Sequence, residues 1–504
     1  MSIEQLERHF RRISHLQHVS AIMQWDEAVM MPAAAGPERA AALATLGVVV
    51  HEHLTAPQLG DWLAAAEVER ENNRLDTKQR ANLREMTRIV RRASALPSAL
   101  VEALSHAQMR CEQAWRTQRE HNDWQGFAPL LREVVLRKRE AAAALAAALD
   151  MSPYDALLDE YEPFYSSAQI DVHFAQLRSF LPELINQAIE RQRSRPFLTP
   201  RGPFPKQAQA DLGRQLMAAV GFNADHGRLD VSHHPFCGGV PSDVRVTTRY
   251  DEQDFTSGMM GVLHETGHAK YEQHLPRELR DQPVGQARGM SVHESQSLLQ
   301  EMQISRSREF LSFAAPHIAQ AFPDASAAQP EAFGASNLLR MFTRVARSKI
   351  RVNADEVTYP CHVLVRYDIE RRLIDGKLEV AEIPEAWDAG MRELLQISTG
   401  SDCRDGCMQD VHWAGGAFGY FPTYTLGAMT AAQLFAAVQK ELPNVREQIA
   451  TGQFEPINDF LRKRIWSQAS VHNTDELLRR ATGEVLNPKY FEAHLRRRYL
   501  EDKS

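Results

Sequence analysis

Apolar residues recur at helical spacing through the first two hundred positions. Phe174, Leu177, Phe180, Leu181 and Leu184 mark one stripe, and Leu131, Val134, Val135 and Leu136 lead another into an alanine-rich run at 141–149. Such stripes are packing faces of amphipathic helices rather than sites. Four prolines within 196–205 stop the helices, so the chain is expected to divide into an N-terminal helical part (about 1–195) and a second part (about 206–504) of a single unit. Between 229 and 250 the period becomes two. Val244, Val246 and Thr248 alternate with polar or charged neighbours, Gly238 and Gly239 read as the turn, and a short strand or hairpin is expected. Helical patterning resumes near Phe255 and runs almost to the end, punctuated by Pro323, Pro330, Pro384 and Pro422. The expected class is mainly α, with a small sheet just before one helix.

Charge narrows the partners. A net charge of −7 and a pI near 6.3 argue against nucleic acid or an anionic membrane, which favour basic surfaces. The five cysteines are odd in number and sparse, which fits a reducing compartment rather than a disulfide framework. Cys403 and Cys407 are four apart, but no second Cys/His pair follows at zinc-finger spacing. The first residues contain no apolar signal core. The apolar run at 141–149 is about half of the ~20 residues that span a bilayer. A soluble, cytoplasmic protein with no membrane or nucleic-acid partner is expected.

The segment His264, Glu265, Thr266, Gly267, His268 is an H-E-x-x-H. On a helix, positions i and i+4 share a face one turn apart. Two imidazoles so placed can meet one Zn²⁺ at ~2.0–2.1 Å each. Glu265 lies about a hundred degrees round the helix, too far to ligate but within reach of an attacking water, which is where a general base belongs. The alternative, a solvated helix with incidental histidines, fits poorly with the neighbouring Met259, Met260, Val262 and Leu263. A catalytic zinc needs a third protein ligand and an open position. Glu294, at the start of a second helical stretch through Leu298, Leu299, Met302 and Ile304, is the candidate, with His293 and His274 as rivals. His274 stands near a helix end just before Pro276 and fits less well.

These residues and their surroundings resemble the thermostable-carboxypeptidase (carboxypeptidase Taq) family of zinc metallocarboxypeptidases. The shared marks are His234-Pro235-Phe236, D-x-R-x-T at Asp243, Arg245 and Thr247, the H-E-x-x-H, and H-E-S-Q at His293 to Gln296. They continue with I-R-x-x-A-D from Ile350 to Asp355 and G-x-x-Q-D-x-H-W from Gly406 to Trp413, and Trp25-Asp26 followed by Met31-Pro32 matches the family's N-terminal end. The resemblance implies removal of single C-terminal residues from peptides with a free C-terminus, zinc as the metal (cobalt or another divalent ion being the alternative), and a homodimer. It also implies a large helical body with a deep central groove and a small sheet along one wall, as in oligopeptidases such as neurolysin. A zinc endopeptidase or dipeptidyl-carboxypeptidase on the same fold is the rival enzyme, and a helical scaffold with an accidental motif is the rival outside enzymes.

For the peptide's terminal carboxylate the resemblance points to Arg351, since a guanidinium pairs with a carboxylate in bidentate fashion. Read without it, Arg351 is a surface arginine paired with Asp355 four residues on. The glycine-hinged aromatic loop 412–421 supplies His412 and Tyr420 as candidate donors to an oxyanion, against a simple packing role. Arg245 and His234 come from the expected sheet. They are candidate substrate contacts if their strand lies at an edge, where it can hold an extended peptide. The alternative is that Asp243 and Arg245, two apart on one strand face, serve only each other.

Overall fold

The structure, a computed structural model, describes residues 2–501. It is built almost wholly of helices, from Ser2–Val29 to Lys489–Arg496, with three short strands between the helices Lys206–Ala219 and Phe255–Gln273. Pro323, Pro384 and Pro422 stand in the first turns of helices, where the missing N–H is no loss. Residues 196–205 form no helix or strand, and Phe204 inserts its ring among Phe255, Phe322 and Phe333.

Most buried apolar residues fall into two cores. One joins residues 107–188 to residues 345–499, and the other surrounds the Phe255–Gln273 helix. Polar groups also tie the N-terminal part to the middle of the chain: Arg288 Nη1 donates to Glu85 at 2.9 Å, both side chains nearly inaccessible. Among the described residues, one helical stretch, Ala33–Leu54, is long and apolar enough to cross a membrane, and none of it is buried. It outdoes the run at 141–149, which closes the helix Trp124–Leu149.

The strands β1 (Gly227–Val231), β2 (Phe236–Val240) and β3 (Asp243–Thr248) form a sheet in the order β1-β3-β2. β3 runs parallel to β1, with Gly227 opposite Val244, and antiparallel to β2, with Phe236 opposite Thr247. Two expectations change. Gly238 and Gly239 lie inside β2 and not at its turn. Gly239, at φ +83°, leaves room there for a backbone approach that a Cβ would block, 2.2 Å from the Asp243 carbonyl oxygen. The strand carrying Arg245 is also central, with both edges already paired, so it cannot hold a peptide by its own main chain. The two-residue period is as read: Val244 and Val246 are buried together with Val262 of the following helix.

Candidate metal centre

The helix Phe255–Gln273 starts where the Asp254 side chain accepts from Thr256 N, and it is buried on most of its circumference. Beside it lies the helix Met290–Leu298, and their contact brings three groups together. His264 Nε2 is 3.9 Å and His268 Nε2 3.3 Å from Glu294 Oε2. Ligand atoms of all three lie within 4.8 Å of one another.

Glycine makes this approach possible. A Cβ on Gly267 would fall 2.4 Å from the Gln296 carbonyl oxygen and 2.5 Å from Ser297 Cα. On the far side, a Cβ on Gly427 of the helix Pro422–Glu441 would fall 2.8 Å from Glu294 Cβ. The Glu294 helix is thus held between two close backbone approaches, and its first turn is held by the N-terminal part of the chain. Ser291 N donates to the Glu162 carboxylate at 2.9 Å, and Met290 N to the Tyr161 carbonyl at 2.7 Å.

Each ring is oriented through its other nitrogen. His264 Nδ1 is 2.9 Å from Glu301 Oε2, and Arg306 Nη2 donates to Glu301 Oε1 at 2.7 Å. His268 Nδ1 is 2.6 Å from His293 Nδ1, and His293 Nε2 is 2.8 Å from Glu272 Oε1. Such partners set the tautomer and make a ring a better ligand through Nε2. His293 is therefore the support of His268 rather than a rival for Glu294. His274 turns away, its Nδ1 2.7 Å from the Lys270 carbonyl oxygen. Glu301 lies in the π-helical run Leu299–Ser305, a local geometry often found at functional sites.

The charges also suit a cation. Burial opposes a proton on His264, but Glu294, Glu301 and Glu265 overcome it and push its pKa up to about 10. Burial dominates at His268, which falls to about 4. Burial would raise Glu294, yet His264 and His268 hold it at about 2. Glu265, buried beside these carboxylates, is pushed up to about 7. Converging Nε2 atoms, a low-pKa carboxylate and oriented Nδ1 atoms fit a divalent metal with a His₂Glu donor set.

Arg351 is buried, and its partner is Asp410, not Asp355. Its Nη2 donates to Asp410 Oδ1 at 2.8 Å, its Nε to both oxygens at 3.2 Å, and its Nη1 to Tyr359 OH at 2.6 Å. Asp355 instead accepts from Ala346 N, Val357 N and both donors of Thr358. Arg366 shares Asp410, with Nε at 2.7 Å. Two guanidiniums on one carboxylate leave a positive surplus, faced by the rings of Tyr359, Phe421 and Tyr424 at 5.1–5.6 Å from Arg351 Cζ. Burial first, and then the Glu294 charge among others, raises Tyr359, Tyr420 and Tyr424, so this cluster adjoins the metal centre.

His412 Nε2 is 3.4 Å from Tyr424 OH, its Nδ1 is buried without a partner among the described residues, and burial lowers it to about 4. Tyr420 stands between Tyr161 and Tyr424, 5.0 and 5.2 Å between centroids. Arg245 is engaged elsewhere: Nη2 donates to Asp243 at 2.6 Å, and the guanidinium lies 4.1 Å over Trp25. His234 is exposed in the loop between β1 and β2, edge-on to His233. Sequence reasoning left out Glu272, Glu301 and Glu162; Asp410 entered it only as a motif residue and Arg366 only as a groove-lining candidate. Two had a signal: Glu272 follows His268 by four, and Glu301 follows Glu294 by seven, each on its ligand's helical face.

The family described as carboxypeptidase Taq (M32) metallopeptidase matches residues 5–499. Thermostable carboxypeptidase 1 of Thermus thermophilus is 37% identical over 498 residues, 97% of this chain and 96% of that protein. The solved metallocarboxypeptidase 1 of Trypanosoma cruzi is 44% identical, with a TM-score of 0.96 and 99% of each chain covered. A structure of PZ peptidase A, at 12% identity and a TM-score of 0.61 over 99% of this chain and 95% of that one, shares the fold alone.

Proposed function

The chain belongs to the carboxypeptidase Taq (M32) family and is a metallocarboxypeptidase, and on that premise we propose how its residues divide the work. Zinc is the metal, and His264, His268 and Glu294 hold it. The observation that carries this is the convergence of their ligand atoms within 4.8 Å, with both Nδ1 atoms engaged elsewhere. When bound, zinc supplies Lewis acidity toward the scissile carbonyl. Glu265 takes the proton of the attacking water on its carboxylate and returns it to the leaving amine. The neutral His412 ring and the Tyr420 phenol donate to the oxyanion that forms.

Arg351 receives the peptide's terminal carboxylate, with Tyr359 beside it. Support comes from charge: among the described residues Arg351 and Arg366 have one carboxylate between them, Asp410, and one further carboxylate balances the cluster. Single residues are then released in order from a free C-terminus. The same peptide ending in an amide loses charge-assisted hydrogen bonds of ~1.5–3 kcal/mol each, so its kcat/KM is expected to fall by about one to several orders of magnitude. Arg351→Ala removes most of that preference, and Arg351→Lys restores only part of it, lacking the fork. Mass spectrometry of timed digests reads both. Internal fragments appearing first, or equal cleavage of acid and amide, would mean an endopeptidase.

The protein works as a homodimer. Support comes from the helix Gly36–Leu54, which has no buried residue and turns Ala41, Ala44, Thr45 and Val48 outward with no charge among them. Light scattering is expected to give twice 57.0 kDa, and Val48→Glu to shift the mass toward the monomer. A monomeric parent protein would rule this out.

A further inference from the structure

The aromatic loop 412–421 closes on a single carboxylate. Glu370, on the helix Tyr359–Ile374, is fully buried and accepts from three donors. Trp413 Nε1 donates to its Oε1 at 2.9 Å, Gly419 N to its Oε2 at 3.0 Å, and Tyr154 OH to Oε2 at 3.1 Å. The first two come from the two ends of the loop, and the third from the helix Pro153–Leu158 of the N-terminal part. Burial pushes Glu370 up to about 7 against these donors, and Arg366, one turn earlier on its helix, acts on its charge from a distance. A buried carboxylate is costly to the fold unless its bonds are complete, and what this one supplies is geometry. Gly419, at φ +89°, sits so close to the N-terminal part that a Cβ would fall 2.8 Å from Leu158 N. Trp413 is fixed as well, stacked on Phe418 at 6.4 Å and edge-on to Trp387 at 6.0 Å.

Each residue that Glu370 grips is the chain neighbour of an oxyanion donor: His412 precedes Trp413, and Tyr420 follows Gly419. The two rings lie 5.8 Å apart between centroids. The hydrogen bond of the His412 ring is long, 3.4 Å to Tyr424 OH, so its place is set mainly by the backbone that carries it. We propose that Glu370 is the positioning residue that sets the spacing of His412 and Tyr420 at the metal centre, acting through Trp413 Nε1 and Gly419 N. This rests on the reading of those two side chains as oxyanion donors. Misplacing a reacting group by about 1 Å can cost ~10²-fold in rate, so Glu370 matters without touching substrate. Glutamine cannot replace it, because its NH₂ would face another donor on one side of the fork or the other.

Glu370→Gln in the zinc-loaded full chain is expected to lower kcat about ten- to a hundredfold, with KM within about twofold of the parent and zinc content unchanged. Tyr154→Phe takes a donor from the same carboxylate but leaves both loop bonds, so kcat should stay within about threefold of the parent. Trp413→Phe deletes one loop bond with Glu370 intact; it should also lower kcat, and it serves if the glutamine variant fails to fold. In a Tyr420→Phe background, Glu370→Gln should cost at least about threefold less than in the parent, because one of its two targets is gone. Strictly multiplicative effects, or a Tyr154→Phe loss as large as that of Glu370→Gln, would make Glu370 a general support of the fold and overturn the proposal. Parental kcat in both Glu370→Gln and Trp413→Phe, with Tyr420→Phe impaired, would overturn it while the donor reading stands. Parental kcat in both Tyr420→Phe and His412→Phe would remove the donor reading itself, and the role of Glu370 with it.

Discussion

Glu265→Gln is expected to lower kcat by at least ~10³-fold while the protein keeps its zinc. The side chain is almost inaccessible, and no metal ligand depends on it: His264 is steered by Glu301, His268 by His293, and Glu294 by its own helix. Glutamine has the same shape but cannot take a proton, so the change removes proton transfer and leaves donor geometry untouched. Burial, and then the charges of Glu294 and Glu301, push Glu265 up to about 7 in the protein's own field of charges. Metal content by mass spectrometry and single-turnover hydrolysis check the two halves separately. His264→Ala or His268→Ala should instead lose metal and activity together. Near-parental turnover in Glu265→Gln would show that the base is another group.

Asp410→Asn is expected to destabilise the folded protein by about 3–5 kcal/mol, the usual consequence of removing one partner from a buried ion pair. The case is stronger here because one carboxylate serves two buried guanidiniums, and Arg351 and Arg366 would face each other uncompensated. Asp410 itself is held far below the ordinary carboxylate range, against burial, by Arg366 and Arg351. Denaturant unfolding of the variant reads the loss. Free-acid peptides should suffer more than amides in kcat/KM, because Arg351 loses the partner that aims its fork. A variant as stable as the parent would mean that the surrounding rings of Tyr359, Phe421, Tyr424 and Trp387 are enough to hold both cations.

Much of this molecule could be read along the chain, wherever the determining contacts are local. The helix over Phe255–Gln273 follows from its apolar start, and the facing of His264 and His268 follows from helical geometry once a helix is granted. The strand over Asp243–Thr248 follows from a two-residue period. Glu294 was legible because carboxylate and imidazole types restrict the choice of ligand, and the family motif narrowed it. Glu272 and Glu301 carried a helical-spacing signal but were passed over, because the rings they support, His293 and His264, lie 21 and 37 residues away.

What failed to be legible depends on partners far apart in sequence. Gly238 and Gly239 look like a turn, and only the pairing of β2 with β3 shows that they belong to a strand. The central place of β3 requires β1 to return parallel to it, which no pattern within β3 announces. Arg351 meets Asp410 across 59 residues, Arg366 meets it across 44, and Ser291 meets Glu162 across 129. By itself, then, the sequence determined the element types, the two-histidine face and, through its motifs, the candidates for the base and for the third ligand. Tertiary structure alone decided how closely Gly267 and Gly427 let the helices approach Glu294, and which buried charge answers which. The physical reason is that periodicity and spacing are properties of a single backbone segment. The pairing of buried charges is set by packing between segments, where each ion must find a counter-charge in the space the other helices leave.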